Sequence, residues 1–134
     1  MVVLDVKKKL FGGYEVMIHN GKKSTGKKPI DLVTQFNKLG AREIVINSID
    51  RNGTMSGYDK ELIEKARKVT SLPLTVLGGA GTLGDIGEMI KKFGVIGASA
   101  GSLFVFRGKY KAVLISYHEP DVKKALLSKY LLFQ

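Results

Sequence analysis

The sequence predicts an α/β fold that is half of a (β/α)8, or TIM, barrel. Four short apolar runs alternate with polar or glycine-rich turns and helical patterns, at residues 2–4, 44–46, 74–77 and 95–98. Strands that alternate with helices are typical of βα units with a parallel sheet. A closed barrel needs about 250 residues, and this chain has 134. We therefore expect one half-barrel domain, residues 1–134, with four parallel strands that complete a barrel by dimerisation.

The connection after the first strand is too long to be an ordinary turn. The strand is predicted to end at Asp5, and the next helix starts more than twenty residues later. Residues 14–19 alternate in polarity, and Asn20-Gly21 is a strong tight-turn signal. We expect an inserted β-hairpin within about residues 8–27, lying over the barrel mouth.

Helix boundaries are marked along the rest of the chain. Pro29 suits the first turn of a helix, and Gly40 suits its end. The next two helices begin near Asp59 and after Thr82, which is suited to cap a helix N-terminus. A terminal helix starts at Pro120. Apolar residues recur at helical spacing in each of these segments, so each helix is expected to pack one face on the sheet.

The composition indicates a soluble globular protein with excess positive charge. Hydrophobic residues make up 44% of the chain, there is no cysteine, and 22 Lys and Arg against 12 Asp and Glu give a formal net charge of +10. No apolar run is long enough to span a membrane, and we expect a cytoplasmic location without a membrane partner. No basic motif interleaved with aromatic residues is present, so we expect no nucleic-acid partner.

The positive charge is concentrated after the first strand. A positive field attracts anions, and this segment lies at the end of the sheet where α/β proteins bind ligands. The alternative is a solvated lysine-rich loop that only aids solubility. The lysines concerned are Lys7, Lys8, Lys9, Lys22, Lys23, Lys27 and Lys28.

Two glycine-rich turns follow the last two strands, at residues 78–81 (the first glycine turn) and 100–102 (the second glycine turn). Backbone N–H groups approach an anion closely where side chains are absent, and a following helix N-terminus adds favourable partial charge. Barrel phosphate sites are commonly built from these loops, although such turns also serve tight packing. The phosphate-binding residues predicted here are Gly78, Gly79, Gly101 and Ser102.

Polar side chains at the ends of the first two strands are further candidates. Asp5 is placed to transfer a proton or, alternatively, to bind loop backbone. Asp50 and Asn52 are placed to hold substrate hydroxyls, although for Asp50 we favour a brace within its own loop to Arg51. The two histidines are not spaced as metal ligands. We expect no metal and no cofactor.

Five stretches, taken together and in order, resemble a known family. They are residues 3–7, 20–26, 47–54 with 57–59, 78–81 and 100–102. They resemble the cyclase subunit of imidazole glycerol phosphate synthase, over the C-terminal half of that family's barrel. Residues 7–11 and 102–117 are similar to cyclase-like paralogues associated with surface-polysaccharide sugars, which are thought to work with a glutamine amidotransferase.

The resemblance implies a reaction and a catalytic residue. In the family, ammonia from a glutaminase subunit passes through the barrel and reacts with a ribulosyl substrate that carries phosphates at both ends. Two aspartates at strand ends serve as general acid and base. Asp5 matches the second aspartate and Lys7 a nearby polar residue, whereas the first aspartate belongs to the half of the barrel outside the resemblance.

The resemblance also implies ligand contacts and a gate. Substrate-lining positions are matched by Asn20, Gly21 and Asn47, and Glu43 matches a charged gate residue at the glutaminase end. Asn52 stands where the family usually has an aspartate, and an amide cannot act as a base near neutral pH. Leu77 stands where the family has a small polar residue beside the phosphate-binding glycines. Positions that hold one substrate phosphate are matched by Gly53, Gly78, Gly79, Gly101 and Ser102.

Three functional hypotheses stay open. The first is a scaffold: a half-barrel that associates with itself and binds a phosphorylated small molecule. The second is an enzyme, a lyase of histidine biosynthesis or of amidotransferase-linked sugar modification, in which a symmetric homodimer presents two copies of Asp5 around one mouth. The third is a half that complements a separately encoded N-terminal half. A glutamine amidotransferase subunit is a further candidate partner.

Overall fold

The computed structural model describes residues 1–93, 97–107, 112–113 and 119–131. Its main sheet contains β1 (Val2–Lys8), β2 (Tyr14–Ile18), β3 (Lys23–Ser24), β4 (Ile44–Ser48), β5 (Leu74–Leu77) and β6 (Gly97–Ala98). The helices are α1 (Pro29–Lys38), α2 (Lys60–Arg67), α3 (Leu83–Phe93), α4 (Ser102–Val105) and α5 (Pro120–Leu131), and a 3-10 helix spans Ile49–Arg51. A separate antiparallel pair joins β7 (Phe106–Arg107) to β8 (Ala112–Val113). Within these residues, no helix combines the length and apolar character needed to cross a membrane.

Four strands of the main sheet are parallel neighbours. The strand order is β3-β2-β1-β4-β5-β6, and β1, β4, β5 and β6 pair in parallel. Helices lie between these strands in the chain, as parallel crossovers require. The predicted fold class is therefore confirmed: the arrangement is that of half a (β/α)8 barrel. For the fourth predicted strand, residues 95 and 96 lie outside the described residues.

One face of the parallel strands forms the hydrophobic core with the helices. Fully burying one large aliphatic side chain, such as Val, Leu or Ile, contributes roughly 1.5–3 kcal/mol relative to leaving it exposed. The helices contribute Val33, Leu62 and Met89, each fully buried. The strand residues on this face are Leu4, Val6, Ile44, Ile46, Leu74 and Val76.

The opposite face of the parallel strands corresponds to the interior of a barrel. Because side chains alternate along a strand, its residues are Val3, Asp5, Val45, Asn47, Thr75 and Leu77. Val3 is 54% exposed, and Thr75 and Leu77 are partly exposed. A single chain therefore leaves part of this face open to solvent.

The first strand is longer than expected because the hairpin pairs with it. We predicted an end at Asp5, but β1 continues to Lys8, since β2 supplies antiparallel partners from Asp5 to Lys8. The segment predicted to lie over the mouth is built into the sheet, with β3 pairing to β2 in turn. Tyr14 and Val16 of β2 are buried in the core, which anchors the hairpin beside β1.

Candidate functional site

A cavity of about 310 Å³ lies at the carboxyl ends of β5 and β6, and we call it the strand-end cavity. Three segments line it: Asn52 with Gly53, residues 77–80, and residues 99–102. Its volume is at the lower end of the range for small-molecule pockets. None of the described residues that line it carries a charged side chain. All five residues predicted to bind phosphate, together with Asn52, lie at this one cavity.

The first glycine turn is packed against backbone, which explains its composition. Gly78 has a φ of 91°, and a Cβ there would lie 2.5 Å from the Ser48 carbonyl oxygen and 2.9 Å from Asn52 Oδ1. Gly79 has a φ of 110°, and its Cβ would overlap the Gly57 carbonyl. A side chain would therefore displace the neighbouring loop at either position. The fold requires both glycines, whether or not an anion binds beside them.

Gly101 differs from the glycines of the first turn. A Cβ at Gly101 would have no described atom within 4 Å, and its φ is not in the left-handed region. Neither packing against described residues nor backbone conformation therefore explains glycine there. The residue borders the strand-end cavity, so an added side chain would project into open space at its rim. Among the described parts of the chain, nothing but a ligand that approaches from the cavity would benefit from the missing side chain at Gly101.

The N-terminus of α3 is capped by the protein itself. Thr82 Oγ1 accepts a hydrogen bond from the Asp85 N–H at 3.1 Å, which confirms Thr82 as the cap. In return, Asp85 Oδ2 accepts from the N–H groups of Gly81 at 2.9 Å and Thr82 at 2.8 Å. This reciprocal arrangement is a capping box. The N–H groups of Gly81, Thr82 and Asp85 are therefore already bonded within the protein and are not open to an anion in the cavity.

A hydrogen-bonded chain connects the predicted catalytic carboxylate to the cavity. The Asn47 side-chain amide donates to Asp5 Oδ1 at 2.8 Å. Asn52 Nδ2 donates to Asn47 Oδ1 at 3.1 Å. Asp5 and Asn47 are half-buried, while Asn52 lies at the exposed end. The structure thus brings together three of the predicted catalytic and substrate residues.

The brace predicted between Asp50 and Arg51 does not form, because each has a different partner. Asp50 Oδ2 accepts from the Lys8 backbone N–H at 2.6 Å, which ties its loop to the end of β1. Arg51 instead lies 4.0 Å from the Asp59 carboxylate. The extension of β1 to Lys8 supplies the backbone donor that the sequence pattern did not reveal.

Three predicted substrate residues lie away from the cavity, two on the hairpin and one on β1. Asn20 and Gly21 form the turn between β2 and β3, with φ values of 57° and 77°. A Cβ at Gly21 would lie 3.0 Å from Ile49 Cδ1, so the turn packs on the 3-10 helix. Lys7 is exposed and pairs with Glu15 across the β1–β2 ladder. By alternation, its side chain is on the same face as Asp5.

Glu43 lies at the opposite end of the strands. It immediately precedes β4, and its backbone carbonyl accepts from the Val2 N–H at 2.9 Å. Its carboxylate accepts from the Thr75 hydroxyl at 2.8 Å. Gly97 leaves space beside Thr75, since a Cβ there would overlap the Thr75 hydroxyl oxygen. Among the described residues, no group of three or more His, Cys, Asp and Glu side chains could hold a metal ion.

Sequence reasoning missed the residues that hold the loop beside the cavity. Tyr58 is only 3% exposed, and its hydroxyl donates to the Ser99 carbonyl at 2.9 Å. Burial, followed by the nearby Asp85 charge, raises the pKa of Tyr58 to about 12. The Arg51 guanidinium donates to the carbonyls of Gly57 at 3.1 Å and Ser56 at 3.4 Å. Both residues lie in the stretches that resemble the family, but the resemblance gave them no role, and the local signal was a lone aromatic residue after glycine in a polar loop.

A second buried phenol ties the hairpin to α2. The Tyr14 hydroxyl donates to Asp59 at 2.9 Å and to Glu61 at 3.3 Å. Burial, then the hydrogen bond to Asp59, raises the pKa of Tyr14. Asp59 also caps α2 by accepting from the Leu62 N–H at 3.1 Å. The hairpin, the helix start and the loop that contains Arg51 therefore share one buried carboxylate.

The fold and the site define a barrel-type α/β protein, with a carboxylate and a glycine-lined cavity at the same end of its parallel strands. A family model described as "Histidine biosynthesis protein" matches residues 1–111. The chain belongs to this family, which confirms the resemblance seen in the sequence.

Individual relatives are similar over nearly the whole chain. A putative imidazole glycerol phosphate synthase subunit HisF of Leptospira borgpetersenii is 53% identical over 94% of this chain and 50% of its own length. A putative subunit hisF3 of Vibrio vulnificus is 48% identical, over 95% of this chain and 49% of its own. The imidazole glycerol phosphate synthase subunit HisF of Dictyoglomus thermophilum is 40% identical, over 96% and 48%. The chain spans about half the length of the curated relatives it matches.

The raised pKa of Tyr58 predicts a difference in alkaline stability. A phenol whose pKa is higher in the folded than in the unfolded state stabilises the fold fully below the unfolded value of about 10. That contribution is lost as the pH rises towards about 12. Tyr58→Phe should therefore lose less unfolding free energy than the parent between about pH 9.5 and 11.5. Urea unfolding at both pH values measures this, and equal losses in the two proteins would contradict the assignment.

Proposed function

We propose that this chain is a half-barrel that binds a phosphate or sugar-phosphate group in the strand-end cavity and associates with a second copy of itself. The observation that carries the proposal is Gly101, a glycine at the cavity rim that described neighbours do not require. The family supports it, because the chain's relatives are described as subunits of an enzyme whose name contains a phosphate ester.

The chemistry of the cavity suits an anion. The described lining offers backbone from both glycine turns, the Ser102 hydroxyl and the Asn52 side chain, without a carboxylate that would repel phosphate. Backbone N–H groups in such turns act as fixed positive ends of dipoles. The net charge of +10 favours the approach of an anion over long range.

Self-association follows from the open edges and the open face of the sheet. Because β2 pairs with β1 only from Asp5 to Lys8, residues 2–4 have no described strand on that side. Unpaired edges with apolar side chains invite pairing with another strand. A two-fold symmetric second copy would cover the face that bears Val3 and would bring two Asp5 side chains to one mouth.

A second candidate function is catalysis, which the Asp5–Asn47–Asn52 chain favours. Asp5 is half-buried, oriented by a hydrogen bond and connected to the cavity, as a group that transfers protons requires. We infer an ammonia-dependent lyase reaction on a bisphosphorylated substrate, with Asp5 as the acid or base. A glutamine amidotransferase would bind at the opposite end, beside Glu43.

Phosphate binding is tested at Gly101. Gly101→Val should weaken the binding of ribose 5-phosphate by about tenfold or more, because losing a hydrogen bond to a charged group costs roughly 1.5–3 kcal/mol. Gly101→Ala should have a smaller effect. Titration calorimetry measures both, with ribose as the ligand without phosphate.

The matched control is Gly84→Ala on the exposed side of α3, where the new Cβ meets only the Thr82 hydroxyl oxygen at 3.4 Å. It should leave the affinity unchanged. Parent-like affinity in Gly101→Val would exclude the strand-end cavity as the phosphate site.

Self-association is tested by light scattering on the parent and on two valine variants. The parent should show twice the 14.6 kDa mass of one chain. Val3→Asp should return it to a monomer, because a charge at this position would be buried in the covered face. Val122→Asp, at a residue of α5 that is 40% exposed, is the control and should stay dimeric. A monomeric parent at micromolar concentration would refute the association.

The catalytic candidate predicts weak, ammonia-dependent turnover that requires Asp5. Positioned proton transfer contributes about 10² to 10⁴ in rate, so Asp5→Asn should abolish a feeble conversion of the bisphosphorylated substrate. Turnover with glutamine as the nitrogen source should be undetectable for this chain alone. Activity that is unchanged by Asp5→Asn would come from another site or a contaminant, and the binding function would stand by itself.

A further inference from the structure

The loop between β4 and α2, residues 49–59 (the β4–α2 loop), touches every wall of the strand-end cavity. Asn52 and Gly53 line the cavity directly. The Gly57 N–H donates to the Gly79 carbonyl at 2.8 Å, within the first glycine turn. The Tyr58 hydroxyl donates to the Ser99 carbonyl at 2.9 Å, just before the second glycine turn. The relative position of the walls therefore depends on the shape of this loop.

One residue of the loop, Met55, adopts a conformation that its side chain disfavours. Gly53, Met55 and Gly57 all have positive φ, at 74°, 55° and 88°. Met55 is not a glycine, and an L-residue in the left-handed region costs roughly 1–2 kcal/mol. At Gly53 and Gly57 a positive φ costs little because glycine has no Cβ, whereas Met55 needs external contacts to hold it in place.

Arg51 supplies one of these contacts. Its guanidinium donates to the carbonyls of Ser56 and Gly57, which closes the loop on itself, and it lies 4.0 Å from the buried Asp59 carboxylate. A planar guanidinium presents several donors in one fixed fork, which a lysine cannot reproduce. Arg51 thereby fixes the two residues that precede Tyr58. The second of them, Gly57, also donates its N–H to the Gly79 carbonyl.

Tyr58 supplies the contact to the other wall. Its ring is buried in the core. Because the ring is held by this packing, the position of the hydroxyl that bonds to Ser99 is fixed as well. Neither Arg51 nor Tyr58 lines the strand-end cavity. Both act on it only through the backbone that they hold.

We propose that Arg51 and Tyr58 are positioning residues that set the spacing between the two glycine turns and thereby the affinity of the cavity for phosphate. The link to phosphate rests on the proposed function. The hold on the loop itself does not, and the two parts are tested by separate measurements.

The test uses two variants of the full chain, each with a control of the same chemistry. Arg51→Gln is compared with Arg67→Gln, since Arg67 also donates to a backbone carbonyl, that of Leu72 at 2.8 Å, away from the cavity. Tyr58→Phe is compared with Thr34→Val, which removes another hydroxyl that donates to a backbone carbonyl, that of Ile30 at 3.0 Å within α1. Arg51→Lys is a milder second variant in case the glutamine variant does not fold.

The first measurement is amide hydrogen exchange without ligand. We expect the Gly57 N–H to exchange about tenfold faster in Arg51→Gln. Without the guanidinium, the Gly57 peptide is no longer held against its partner, the Gly79 carbonyl. In Arg67→Gln the rate should stay at the parent value after correction for global stability. An unchanged Gly57 rate in Arg51→Gln would overturn its role in holding the loop.

The second measurement is the affinity for ribose 5-phosphate. Arg51→Gln and Tyr58→Phe should each weaken it by about three- to tenfold, the cost of roughly one hydrogen bond, while both controls bind like the parent. Equal losses in a variant and its control would show a merely structural role and overturn the positioning proposal. Absence of binding in the parent would refute the proposed function, while the exchange measurement would still decide whether Arg51 holds the loop.

Discussion

The site depends on one contact, the direct packing of the first glycine turn against the β4–α2 loop. No side chain separates the two segments at Gly78 and Gly79, and the Gly57 N–H closes the contact with a hydrogen bond to the Gly79 carbonyl. A third glycine, Gly81, is equally constrained, because its Cβ would overlap the Met55 carbonyl oxygen. Because the two backbones are in direct contact, neither segment can shift towards the other, and neither can accept a side chain at these positions. Asn52 and Gly53 reach the cavity because of this contact.

The contact also changes the meaning of a glycine-rich turn. Glycines at a strand end attract attention as anion ligands, yet in the first glycine turn they are already required by their neighbours. At the start of α3, a usual source of donors in such sites, Asp85 already accepts from the N–H groups of Gly81 and Thr82, and the Asp85 N–H is bonded to Thr82. Evidence for a ligand has to come from positions without such an explanation. Gly101, in the second glycine turn, is the position where that condition is met among the glycines at the cavity.

The sequence predicted the fold class and the grouping of the two glycine turns at one end of the sheet, because both depend on local patterns. Apolar runs and helix signals identify parallel βα units, and the order of turns along such units determines which loops share one end of the sheet. The extension of β1 to Lys8 was not predictable in this way, because it depends on pairing with a strand whose polarity pattern is its own. The partners of Asp50 and Arg51 were missed for the same reason. Lys8 and Asp59, which bond to them, reach these positions only through tertiary structure.

The amide at position 52 is consistent with the rest of the hydrogen-bonded chain. The side-chain amide nitrogen of Asn47 donates to Asp5. Its side-chain oxygen, Oδ1, is therefore directed at residue 52 and needs a hydrogen-bond donor there. Asn52 supplies that donor, whereas an ionised carboxylate is only an acceptor.

A carboxylate at position 52 would force Asn47 to turn around, and Asp5 would then face the Asn47 oxygen instead of an N–H. The two positions are therefore coupled: the amide at residue 52 determines which end of Asn47 meets Asp5. In this chain the coupling leaves Asp5 as the one carboxylate of the connected trio. A reaction that needs two carboxylates at this end of the strands would have to take the second from outside this trio.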